Sequence, residues 1–78
     1  MTQRLRVEVP DARRGSVLAQ RLGSGELTRT APERWAVTGS AKGDLPRALA
    51  TIQQWLRDEE IEQTVVYLGD RRHTMTRD

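Results

Sequence analysis

The sequence predicts an α+β domain with the element order strand, helix, strand, strand, helix, strand. Three observations predict it. The N-terminal segment alternates strictly between apolar and charged residues, two segments carry apolar stripes at helical spacing, and the remaining apolar stretches are short and bounded by turn residues.

From Arg4 to Val9, Leu5, Val7 and Val9 fall on one face and Arg4, Arg6 and Glu8 on the other, the period of a half-buried strand. Pro10 ends it, and Asp11 is placed to cap a helix over Ala12 to Leu22. In that helix Ala12, Gly15, Leu18, Ala19 and Leu22 form a narrow stripe of mostly small side chains. Gly15 costs about 1 kcal/mol of helix propensity against Ala, so it points to close packing on a sheet or to a helix that starts at Ser16. Gly23 supplies the C-terminal stop.

Glu26 to Thr30 and Arg34 to Thr38 are two predicted strands, joined by a turn at Ala31-Pro32-Glu33, and Gly39 to Gly43 is a predicted loop. The second helix is predicted over Asp44 to Glu60. Asp44 is its N-cap, Pro46 sits in its first turn, and Leu45, Ala48, Leu49, Ile52, Trp55 and Leu56 form its apolar stripe. Thr64 to Leu68 and Arg71 to Met75 are the last strands, with a two-residue turn at Gly69-Asp70. The order is the split βαβ pattern. It predicts one ferredoxin-like domain over residues 1–78: a βαββαβ sandwich with both helices on one face of an antiparallel sheet and a C-terminal β-hairpin. That topology also brings Arg13 and Arg14, at the start of the first helix, beside Asp58 to Glu60 at the end of the second. Each charge is unfavourable to its own helix dipole, and the two groups offset one another.

Composition narrows the function classes. A chain of 78 residues makes one domain with a small core, so a site is expected to be shallow or shared with a partner. Thirteen basic and eleven acidic residues give a net charge of +2, a mixed surface in which Lys42 is the lone lysine. The absence of Cys excludes disulfides, thiolate nucleophiles and Cys-based zinc sites. Met1-Thr2-Gln3-Arg4 opens no apolar leader, and no apolar run reaches the ~20 residues of a membrane span, so a cytoplasmic location is expected.

Few constellations suggest chemistry. His73, the single histidine, shares a strand face with Arg71 and Met75, while Asp70 lies in the turn; neither an acid–base pair nor metal-ligand spacing emerges. Gly39 to Asp44 stands between a strand and a helix as a phosphate loop would, but Lys42 precedes Gly43 and no Gly-Lys-Ser/Thr follows. Gly23-Ser24-Gly25 has neither a third glycine nor a preceding strand. The sheet face away from the helices is expected to carry Arg4, Arg6, Glu8, Thr28, Thr30, Arg34, Ala36 and Thr38, arginines without an aromatic ring. Trp35, Trp55 and Tyr67 read as core residues.

Residues 9 to 19, with Asp11, Gly15 and Leu18, loosely resemble the start of ACT-type regulatory domains, and that resemblance implies small-ligand binding between paired modules. Ala48 to Met75, where Trp55-Leu56-Arg57 leads into a strand and a polar hairpin, resembles the end of the effector-associated constant components of actinobacterial conflict systems. That resemblance implies an adaptor.

These readings converge on a non-enzymatic regulatory or adaptor module that binds protein, as a homodimer through the open sheet face, with no cofactor, metal or catalytic residue. The alternative is a module that binds a small anionic ligand or nucleic acid. Its expected site is the glycine-rich edge, with Ser40, Lys42, Gly43, Arg47, Arg71 and Arg72 as binding residues.

Overall fold

The computed structural model describes residues 3–23, 25–41 and 45–77. Along the chain these form β1 (Gln3–Val9), α1 (Ala12–Leu22), β2 (Glu26–Ala31), β3 (Arg34–Ala41), α2 (Leu45–Asp58), β4 (Gln63–Leu68) and β5 (Arg71–Thr76). The architecture is α+β, a five-stranded antiparallel sheet in the order β2-β3-β1-β4-β5 with two helices, consistent with the ferredoxin-like class. The element order is not the six-element βαββαβ, because the C-terminal hairpin adds β5 at the edge beside β4.

Alternation in β1 sets the layers. Leu5, Val7 and Val9 are buried, and they join Leu18 of α1, Val37 of β3, Ile52, Trp55 and Leu56 of α2 and Val66 of β4 in one core. Val7 lies between Val37 and Val66 in the ladders, so the sheet turns one aliphatic face to both helices. The ladders run β1 and β2 one way and β3 and β4 the other, which makes the two connecting helices run in opposite directions. No helix among the described residues is long and apolar enough to cross a membrane.

Gly15 is a contact point, and α1 runs through it from Ala12. A β-carbon there would sit 2.6 Å from Leu27 Cδ1 and 2.8 Å from Val9 Cγ2, so the missing side chain lets α1 approach the sheet. Asp11 caps α1 by accepting from the Arg14 amide at 2.8 Å. Trp55 Nε1 donates to the Arg14 carbonyl at 2.9 Å and ties α2 to the first turn of α1. Arg13 reaches Glu59 at 3.8 Å, and Arg21 reaches Asp58 at 2.6 Å, so cations from both ends of α1 serve the acidic end of α2.

Besides one-residue extensions of β1 to Gln3, β4 to Gln63 and β5 to Thr76, three boundaries differ from the sequence expectation for identifiable reasons. The strand β3 continues through Gly39 to Ala41, because pairing with β1 runs to Gln3↔Ala41; the expected loop over residues 39–43 therefore begins as strand. Helix α2 stops at Asp58 rather than Glu60. Ile61 N–H bonds the Leu56 carbonyl at 2.8 Å and Glu60 N–H the Arg57 carbonyl at 3.2 Å, with Glu60 left-handed at φ 55°, which closes the helix as a Schellman motif. The strand β2 extends to Ala31, across a register shift between Arg29 and Ala31, and leaves Pro32-Glu33 as the turn. The expected cap Asp44 lies outside the described residues.

Candidate functional site

The helix-free face of the sheet is assembled by register. Pairings Glu26↔Thr38, Thr38↔Arg6, Arg6↔Tyr67 and Tyr67↔Arg72 place five side chains in one row across all five strands. Tyr67 stands on this face because its neighbours Val66 and Leu68 turn to the core side. The face therefore has an aromatic ring, which corrects the sequence expectation of arginines alone.

The Arg6 guanidinium lies over the Tyr67 ring, 4.5 Å from its centroid. Such a cation–π contact holds a flexible Arg side chain in place and contributes about 0.5–1 kcal/mol at an exposed site. Arg4 follows two residues earlier on the same face of β1, and the Gly69 amide donates to the Arg4 carbonyl at 2.9 Å. An open depression of about 610 Å³ lies among Arg4, Arg6, Tyr67, Thr38, Glu26 and Gly69. A second, of about 320 Å³, lies beside Arg72, Thr74, Val65 and Glu8. Tyr67 lines the first and its cross-strand neighbour Arg72 the second.

The electrostatics of the two sides differ. Among the described residues Arg13, Arg14 and Arg21 each face a carboxylate on the helical side. Arg4, Arg6 and Arg72 on the open face have no carboxylate within salt-bridge distance among the described residues. Asp58 has its pKa lowered, first by the Gln54 amide and then by the Arg21 guanidinium hydrogen-bonded to it.

The residues expected at the glycine-rich edge fall on β3, α2 and β5 and in the segment between β3 and α2. Lys42 and Gly43 lie outside the described residues; Ser40 belongs to β3, opposite Arg4. Arg47 is exposed in the first turn of α2. Arg71 and Arg72 are adjacent in β5 and so point to opposite faces: Arg71 pairs with Leu68 on the core side and Arg72 with Tyr67 on the open side. Of Arg47, Arg71 and Arg72, Arg72 lines one of the face depressions. His73 is exposed on the helix-side face of β5, opposite Val66. Among the described residues no three His, Asp or Glu side chains come together as metal ligands.

Fold and face together define a class, a small α+β domain with an uncovered, arginine-bearing sheet surface. No family model, curated protein or solved structure matches the chain.

Proposed function

We propose that this chain is a non-enzymatic binding module that takes an anionic partner on the open face of its sheet. The observation that carries the reading is the group Arg4, Arg6 and Arg72 around Tyr67, three cations gathered on one face beside an aromatic ring with no carboxylate within salt-bridge distance among the described residues. Unpaired guanidinium groups beside a depression are a surface suited to carboxylates or phosphates, which they bind in bidentate fashion.

The reading is tested with inorganic polyphosphate as a probe, followed by backbone amide shifts. Shifts confined to β1, β4 and β5 around Arg4, Arg6, Tyr67 and Arg72 support it. Shifts confined to the helices, or none, reject it.

A second reading, a homodimer through the same face, has one observation in its favour. Arg6 and Glu26 share a cross-strand row with Thr38 between them, and Ala36 is flush beside it. A half-turn about the line of β3 would set each copy's Arg6 over the other's Glu26. Sedimentation as a dimer at tens of micromolar, lost on Glu26→Arg, supports this second reading. A monomer rejects it.

A further inference from the structure

We infer that the partner of the open face is a single-stranded nucleic acid, with a base stacked over the Arg6–Tyr67 pair and neighbouring phosphates held by the N–H edges of Arg4, Arg6 and Arg72. This rests on the anionic-partner reading above and adds the chemical class of the partner.

Four features favour a nucleic acid over an acidic peptide. Tyr67 presents a flat ring on the exposed side of a central strand pair, and Arg6 is stacked on it as a second flat group. Bases stack on aromatic rings and on guanidinium planes alike, and a peptide carboxylate has no use for either. Tyr67 of the first depression pairs across the strands with Arg72 of the second, so the cations and the ring extend across β1, β4 and β5, as a strand of successive nucleotides requires. Arg4 and Arg6 lie two residues apart on β1, which spaces them about 6–7 Å, close to the step between adjacent phosphates in an extended single strand. Each depression also carries one carboxylate, Glu26 in the first and Glu8 in the second, and their repulsion of phosphate holds the strand toward Arg4, Arg6 and Arg72.

A duplex is a poorer occupant. Its bases are stacked internally and leave Tyr67 nothing to stack on, and the site offers only three cations to a rod of phosphates.

The experiment measures fluorescence anisotropy of a short labelled single-stranded oligonucleotide with the intact chain. Its comparators are an abasic strand of equal length, the matching duplex and a poly-glutamate peptide. The expected result is binding that is at least about tenfold tighter for the strand with bases than for the abasic strand, as one stacked base provides. Tyr67→Leu should weaken it by about tenfold and Tyr67→Phe by less than about twofold. Three phosphate contacts give a salt slope of about −2, a loss of roughly 20-fold between about 50 and 200 mM salt, and Arg72→Ala should reduce that slope by about 0.7.

Equal binding of the abasic strand or of poly-glutamate, with amide shifts still on the open face, would overturn the nucleic-acid inference and leave the anionic-partner reading standing. Tighter binding of the duplex would overturn it as well. Absence of any shift on the face with either polyphosphate or oligonucleotide would overturn both. The abasic comparison uses the unaltered protein, so it decides the matter even if Tyr67→Leu fails to fold.

Discussion

The two faces of the sheet are built from the same strands and behave as opposites. On one, Val7, Val37 and Val66 meet Leu18, Ile52 and Trp55 with no exposure, and Arg13 and Arg21 above them pair with the acidic end of α2. On the other, the intervening residues of the same strands, Arg6, Thr38 and Tyr67, stay at the surface around one depression. One-residue alternation thus separates a side that supplies stability from a side free to vary in chemistry. The comparison is useful because it can be broken: substitutions on the first face should cost folding, and substitutions on the second should cost binding.

The largest effect is expected at Trp55. It is fully buried and donates to the Arg14 carbonyl, so Trp55→Ala both opens a cavity and removes the bond between the helices. A loss of about 3–5 kcal/mol is expected, most of the stability of a domain this small. Tyr67→Ala, of comparable aromatic character on the open face, should cost about 1 kcal/mol or less in urea unfolding, as its ring is only half-buried. Similar losses at the two positions would show that the open face also holds the fold together.

Gly15→Ala comes next and tests the closeness of the covered face. Helix propensity alone favours Ala by about 1 kcal/mol. Against that, the new methyl would meet Val9 Cγ2 and Leu27 Cδ1 well inside contact distance, and Val9 is stiff and buried. Overpacking of this kind costs about 1–3 kcal/mol, so a net fall in melting temperature is expected. A rise would mean that α1 can lift from the sheet without penalty.

Much of this was legible in the sequence, and the misses share a cause. The alternation of Arg4 to Val9 specified β1 and both faces of the sheet, and the stripe from Leu45 to Leu56 specified α2, because each pattern has one period only. The sequence pattern does not place Tyr67 on the open face. In Thr64-Val65-Val66-Tyr67-Leu68 nearly every residue is apolar, so the pattern cannot say which parity is inward; the ladder Val7↔Val66 decides it. The end of β3 is not readable for a similar reason. Gly39-Ser40-Ala41 has the composition of a loop, and the strand character comes from pairing with Leu5, Arg4 and Gln3. The end of α2 was overrun because Glu59 and Glu60 are ordinary helix residues, while the stop is a left-handed Glu60 where glycine is the common choice.

That stop yields a smaller, stabilising change on the covered side. A side chain in the left-handed region is strained, and Glu60→Gly removes the strain while keeping the two closing hydrogen bonds. A gain of about 0.5–1 kcal/mol is expected after the added flexibility of the unfolded chain is subtracted, seen as a rise of a few degrees in melting temperature. No gain would indicate that Glu60 contributes through its charge.

The smallest expected effect concerns the paired charges above the covered face, and it has a definite sign. Asp58 accepts from Gln54 Nε2 at 2.9 Å and from Arg21 at 2.6 Å, and these contacts hold its carboxyl below the usual carboxylate range. A carboxylate with a depressed folded pKa contributes stability that is fully present above its unfolded pKa and is lost as pH falls through the folded value. The unaltered protein should therefore keep this contribution to lower pH than a variant without the partners. Gln54→Ala should raise the Asp58 pKa most, since its amide is the larger cause, and Arg21→Ala should raise it less. Arg6→Ala, across the sheet, should leave it unmoved. Carboxyl-carbon chemical shifts followed through an acid titration would measure all three. An Asp58 midpoint unchanged by either helix-side substitution would mean that these exposed contacts do not persist in solution, and the paired charges of the covered side would then resemble the unpaired arginines of the open one.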